Sequence, residues 1–356
     1  KRTSDEHYDV LKPFFEPIAQ AARAGRGGHG SEIKPNGPPY PPSPVIQQFT
    51  WAPPAQIIRH AKGGDNWPMT WADDDALYTA YGDGNGWEPL IKGKLSIGFV
   101  KVTGHPPHLA GTNLRTPTGE FPGDGRSGRK ASGLLMVDGV LYLLARNLDN
   151  AQVAWSRDHG ATWTWAAWRF KPSFAAPTFL NFGKNYAGAR DDFVYLYSLD
   201  GDSAYEAADR MVLARVPKGQ IAQQAAYDFF VALDAKGQPT WSRDIARRGA
   251  VFANRGNCYR GGVSYNAGLK RYLWCQILPH STHPQGMRFQ GGFGIYDAPE
   301  PWGPWTTAYY TEAWDVGPGE SSSLPTKWMS SDGRSLHLVF SGDDSFSVRQ
   351  GTVVLK

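Results

Sequence analysis

The chain has 356 residues, among them 41 Gly, 27 Pro and 14 Trp, with a formal net charge of +4 and 13% aromatic side chains. That length holds one large all-β domain or two ordinary ones, and the Gly/Pro content suits many short strands joined by turns. No Lys/Arg run marks a nucleic-acid stripe and no stretch of about 18 apolar residues marks a membrane span, so neither nucleic acid nor a bilayer is an expected partner.

Residues 1–50 read differently from the rest. The chain opens Lys1-Arg2-Thr3-Ser4 without a signal peptide, as a mature or trimmed form would. Asp5–Ala24 is helical in flavour but broken by Pro13 and Pro17, and Gly25–Pro44 is a Gly/Pro-rich linker. Val45–Trp51 then reads as a strand. From there one unit is written five times: an apolar strand, a tight turn, and a second apolar strand ending in polar residues. The copies are Met69–Trp71/Leu77–Tyr81, Gly133–Val137/Val140–Ala145, Thr178–Phe182/Phe193–Ser198, Gly261–Tyr265/Lys270–Gln276 and Thr326–Ser330/Ser335–Phe340. A repeat of this kind predicts an all-β, five-bladed β-propeller over residues 51–356, each copy being the inner hairpin of a blade, with residues 1–50 as a helical and Pro-rich extension. Val45–Trp51 is the expected closing partner of Phe346–Leu355.

Within the blades, Leu95–Val102 reads as a third strand and Thr103–Arg129 as a long loop of functional size. Ser156-Arg157-Asp158-His159-Gly160-Ala161-Thr162-Trp163 matches the Asp-box pattern S-x-D-x-G-x-T-W, in which the Asp caps turn amides and the Trp packs between blades. Asp158 is therefore read as structural. Blade 3 carries an insertion at Gly183–Asp192 and a segment Ala204–Arg210, and blade 4 contains Gly291–Tyr296 and a turn at Asp297–Trp305. Cys258 and Cys275 flank a hairpin turn almost symmetrically, which suits either a cross-strand bridge or two buried thiols. Most Trp side chains are expected in the core between blades, with a surplus for stacking on sugar rings.

Innermost strands of a propeller all run the same way along the channel. The residues that begin them therefore meet on one rim, and the second strands return to it. The first set contains Asp65-Asn66-Trp67, Lys130-Ala131-Ser132, Phe174–Ala176, Asn257-Cys258-Tyr259-Arg260 and Glu320-Ser321-Ser322; the second contains Asp83, Arg146-Asn147, Asp200, Gln276 and Gly342-Asp343-Asp344. So much charge on otherwise apolar strands predicts a wet, polar pocket. Asp65 and Glu320 begin blades 1 and 5, neighbours once the ring closes, and Asp83 stands close by. Facing carboxylates are what glycosidic hydrolysis needs, one as acid and the other as base or nucleophile. Asn66, Trp67, His105, Lys130, Arg146, Tyr259 and Arg260 are the expected substrate contacts. A second reading uses the same parts as a polysaccharide lyase, with Arg/Lys neutralising a uronate and Tyr259 or His105 moving a proton. A third is a non-catalytic sugar-binding propeller. His280 and His283 read as ordinary loop residues. No cluster has metal-ligand spacing and no motif requires a cofactor, although the channel axis of such a propeller can hold a structural cation.

Gly64-Asp65-Asn66-Trp67, Tyr81-Gly82-Asp83-Gly84, Gly291-Gly292-Phe293-Gly294-Ile295-Tyr296-Asp297-Ala298-Pro299 and Ser341-Gly342-Asp343 together resemble the bacterial five-bladed propeller family that includes endo-D-arabinanases. More distantly, the chain is similar to the arabinanase/xylosidase-type glycoside hydrolases. The resemblance covers roughly Ala55–Lys356. It implies a secreted or periplasmic enzyme acting on a polysaccharide, with two first-blade aspartates in catalysis, for which Asp65 and Asp83 are the matching positions. Arg129–Asn147 and Asn185–Asp191 are similar to propeller lyases of the ulvan type, whose paired histidines have no counterpart at matching positions here.

Overall fold

The computed structural model describes residues 37–356, so the expected helix at Asp5–Ala24 and most of the Gly25–Pro44 linker lie outside the described residues. The chain enters through β1 (Ile46–Trp51) and β2 (Ile58–His60) and then builds five antiparallel units in succession. The first unit is β3 (Asp65–Trp71), β4 (Leu77–Gly82), β5 (Leu95–His105) and β6 (His108–Leu114), with β7 (Phe121–Pro122) on β5. The second is β8 (Lys130–Val137), β9 (Val140–Arg146), β10 (Gln152–Ser156) and β11 (Thr164–Trp165). The third is β12 (Thr178–Asn181), β13 (Phe193–Leu199), β14 (Ala208–Pro217), β15 (Asp228–Leu233) and β16 (Pro239–Ser242), with β17 (Phe252–Cys258) on β14. The fourth is β18 (Gly261–Asn266), β19 (Arg271–Ile277), β20 (Phe293–Ala298) and β21 (Thr306–Thr311). The last is β22 (Ser322–Ser323), β23 (Ser335–Phe340) and β24 (Phe346–Leu355), on which β1 and β2 both pair.

The first strands of the units touch in a cycle: β3 against β8, β8 against β12, β12 against β18, β18 against β22, and β22 back against β3. A short parallel pairing of Leu180–Asn181 with Val263–Ser264 joins the third and fourth units into one sheet. The core lies between neighbouring units, and the period of two assigns side chains to alternate interfaces. On β4, Leu77 and Tyr81 pack toward the last unit while Tyr78 and Ala80 pack toward the second. On β19, Leu273, Cys275 and Ile277 face the last unit while Tyr272 and Trp274 face the third. Strands buried on both faces read as continuous apolar runs, which is why these hairpins stand out in the sequence. Among the Trp residues, Trp67, Trp163, Trp274, Trp305, Trp314 and Trp328 are buried in these interfaces. Trp163 stacks on Phe99 of the first unit at 4.7 Å, and the Asp158 carboxylate accepts from the Thr162 amide at 2.9 Å.

Chain start and chain end share the last sheet. β1 runs antiparallel to β24 from Ile46↔Leu355 to Trp51↔Gly351, and β2 pairs with the start of the same strand. Tyr40, inside the segment read as linker, is buried against Phe252 and Tyr296.

Two expectations need correction, and one open alternative is decided. The last unit begins at Ser322–Ser323, because Thr326–Trp328 is a turn of 3-10 helix that follows Pro325, a residue without an amide to give to a ladder. Much of Thr103–Arg129 is not loop: β5 runs on to His105 and returns as β6, an outer hairpin with Thr103, Thr112 and other β-formers. Cys258 and Cys275 are both free and buried; Cys275 pairs with Gly262 and Cys258 with Ala208, so the two thiols are not cross-strand partners.

Candidate active site

Asp65 opens β3, and Gly82 pairs with it at the end of β4, so Asp83 follows immediately beside it. Lys130 opens β8 opposite Arg146, which ends β9. Tyr259 and Arg260 immediately precede β18, and Glu320 stands two residues before β22. All seven line one cavity of about 400 Å³, together with Arg126, Tyr205, His280, Met287 and Arg288. Chain segments more than 250 residues apart thus supply one site.

The backbone is bent to make this possible. Asn66 and Trp67 have φ of 77° and 66°, and the β3–β4 register shifts just after them. Asp83, Asn147, Asp343 and Asp344 also adopt positive φ where second strands end on this side. Asn and Asp tolerate that region best among residues with a side chain. Gly82 has a different reason: a Cβ there would stand 2.8 Å from Asp65 Oδ1 and 2.7 Å from Asn66 Nδ2. The close approach of the two strands needs a glycine.

Most of the buried charges here are held in pairs, as the low dielectric favours, with Arg146 the exception. Lys130 Nζ is ion-paired to Asp83 Oδ1, and the Gly125 amide donates to Asp83 Oδ2 at 3.1 Å. Arg260 is ion-paired to Glu320 through Nη1, while its Nε and Nη2 donate to the Ala204 carbonyl at 3.0 and 2.7 Å. Arg288 reaches Asp65 at 3.3 Å, Asp344 at 3.2 Å and Glu320 at 3.9 Å, bridging the two facing carboxylates. Asn66 donates to Asp65 and accepts from Arg146 at 3.0 Å. The Glu320 amide donates to Ser341 Oγ at 2.6 Å, which fixes the segment that carries it.

These surroundings push the two facing carboxylates apart. Burial, with the Glu320 charge beside it, raises Asp65 to about 6 against the pull of Arg288, Lys130 and Arg146. Burial also acts to raise Glu320, but Arg260, Arg146 and Arg288 outweigh it and hold the group below its ordinary range. At pH 5 Asp65 keeps its proton and Glu320 is ionised. Tyr259 is raised by burial, so its phenol stays protonated.

Some expected contacts fall elsewhere. Trp67 is 1% exposed and packs against Tyr81, Trp87 and Phe346, because the left-handed pair at residues 66 and 67 turns it into the core. Asn66 supports Asp65 from behind the cavity wall. His105 is at the other end of the molecule: Val102 already pairs with Leu77 at the turn end of β4, and β5 continues past it. Asp200 is ion-paired to Arg210 and Arg248 outside the cavity. Conversely, His280 lines the cavity rather than an ordinary loop surface. Periodicity gives no signal for Arg126, Tyr205 and Arg288, which lie on connections, where no period assigns a side chain to a face. A carboxylate-rich rim was the available signal for Arg288. Among the described residues, Asp73, Asp74 and His159 can bring ligand atoms within 4.8 Å of one another, in surface turns away from the cavity.

No protein-family model matches the chain, and no curated protein sequence matches it significantly. Solved structures that align with the chain include a glycosyl hydrolase from Bacteroides ovatus (13% identity, TM-score 0.46, 92% of this chain and 97% of that one). Others are the GH43_1 enzyme from Xanthomonas citri complexed with xylotriose (15%, 0.45, 86% and 92%) and a thermostable family-43 glycoside hydrolase (14%, 0.47, 86% and 92%). Likenesses this remote do not say what the chain does.

Proposed function

We propose that this chain is a glycoside hydrolase, built as a five-bladed propeller from its five units, and that it cleaves a polysaccharide at the cavity where those units meet. One observation carries the reading: a buried carboxylate, Asp65, and a half-buried one, Glu320, line the same cavity with their proton affinities pushed in opposite directions, the arrangement that acid–base cleavage of a glycosidic bond requires. Asp65 gives its proton to the leaving oxygen as the C–O bond breaks. Glu320 either takes a proton from the water that attacks the anomeric carbon or attacks that carbon itself. Asp83 does neither; its carboxylate is committed to Lys130 and to the Gly125 amide and shapes the wall.

The lyase reading loses His105 to the far end of the molecule and finds Tyr259 held as a neutral phenol, a poor base. A pure sugar-binding protein would have no need to bury a carboxylate raised in this way. We read the protein as secreted or periplasmic, the setting in which a polysaccharide substrate is met. The test is digestion of plant, algal and mycobacterial glycans, D-arabinan among them, followed by assay for new reducing ends and for ultraviolet-absorbing unsaturated products. New reducing ends without unsaturation are expected, and unsaturated uronates would overturn the assignment.

A further inference from the structure

The cavity holds more positive charge than its own carboxylates neutralise. Arg126, Lys130, Arg146, Arg260 and Arg288 line it against Asp65, Asp83 and Glu320. The surplus sits in one corner. Arg146 is 2% exposed, yet its Nη groups reach neutral amides, Asn147 at 3.3 Å and Asn66 at 3.0 Å, and its Nε has no partner. Among the described residues no carboxylate lies within ion-pair distance of it, although Asp65 and Glu320 act on it from farther off. Arg126, on the segment between β7 and β8, likewise has no carboxylate partner among the described residues. Arg126, Arg146 and Arg260 converge on a single phenol: their guanidinium carbons lie 4.8, 5.2 and 5.0 Å from the centre of the Tyr205 ring. Asn147 holds that phenol by a 2.6 Å hydrogen bond to its oxygen.

Three guanidinium groups around one ring repel one another, and a buried one without a counter-ion is strongly disfavoured. An anion supplied by the ligand would complete the arrangement, and the planar guanidinium fork is suited to a carboxylate or a sulfate. We propose that this corner binds an anionic substituent of the sugar, so that the polysaccharide taken is an acidic one. That the ligand is a glycan rests on the hydrolase reading; the anion site itself does not.

Monosaccharides cannot be cleaved, so the wild-type protein serves for binding. Calorimetric titration with D-galacturonate, D-galactose 6-sulfate and D-galactose compares a carboxylate, a sulfate and no charge on one ring. At least one acidic sugar should bind tenfold or more tightly than galactose, and its affinity should fall as salt rises. Arg146→Met and the exposed Arg126→Ala should each weaken that sugar on the order of tenfold while leaving galactose nearly unchanged. A preference for galacturonate or for the sulfate names the group. Neither acidic sugar exceeding galactose, or both variants weakening all three sugars alike, overturns the proposal. Polysaccharide digestion separates the two readings. Acidic glycan bound but not hydrolysed leaves the anion site standing without the hydrolase, whereas neutral glycan hydrolysed with no acidic preference does the reverse.

Discussion

The two ends of the inner hairpins carry aspartates in similar number and put them to opposite uses. At the turn end, Asp75 is exposed and accepts from the Trp71 indole and Lys327, which together hold it down to about 2. Asp332 there accepts from Ser330 and the Arg334 amide and is also lowered. At the cavity end, Asp65 is buried and raised to about 6, and Asp344 is raised as well, in both cases by burial first. Asp-rich turns stabilise the fold through satisfied hydrogen bonds. The cavity instead disfavours the ionised form of its carboxylate, a perturbation that clusters at functional sites.

The largest expected difference between the two ends is in turnover. Asp65→Asn and Glu320→Gln should each lower kcat by about 10²–10⁴-fold on whichever glycan is cleaved, while Asp75→Asn leaves it unchanged. Comparable losses from all three substitutions would erase the contrast. A packing test follows. Gly82→Ala should destabilise by about 1–3 kcal/mol, since the new methyl group meets Asp65, Asn66 and the Lys130 stem. Gly219→Ala has open space around it and should be neutral in the same denaturant titration.

The sign of a third effect is set by linkage. Because Asp65 binds its proton more tightly folded than unfolded, its contribution to stability is greatest below pH 4 and is lost as pH rises from about 4 to about 6. At pH 7 the Asp65→Asn protein should therefore be more stable than wild type, by about 1–3 kcal/mol, and this gain should vanish by pH 4. Asp75→Asn should show no gain at either pH. The smallest effect is on the pH profile. Activity should fall on the alkaline side as Asp65 ionises near pH 6, and Arg288→Gln, which removes a cation that favours ionisation, should move that limb upward by a fraction of a unit. Movement in the opposite direction would mean that Asp65 is not the acid.

Much of this was readable from the residues because periodicity speaks directly about strands. Asp65, Lys130 and Arg260 each stand at or just before the start of an apolar strand, so counting strands was enough to bring them to one side. Glu320 is legible from its position before the chain's final hairpin, even though that hairpin's first strand is Ser322–Ser323 and not Thr326–Ser330. Trp67 was lost to two consecutive left-handed residues, a backbone event that alternation cannot foresee. His105 was lost because a third strand running past its expected end carries its last residues away from the rim. Arg288 and Tyr205 lie on connections, and their place depends on where the ring brings those connections, which is a tertiary fact.

Pairing of β1 along β24 shuts the ring, and it has a kinetic meaning. Asp65 belongs to the first unit and Glu320 to the last, so the two carboxylates meet across the seam where the chain's beginning and end are joined. No folding intermediate that lacks the seam holds both groups in place. Contacts between positions this distant along the chain form slowly. Catalytic activity should thus lag behind the growth of β-sheet signal during refolding, and its appearance would clock the moment of closure.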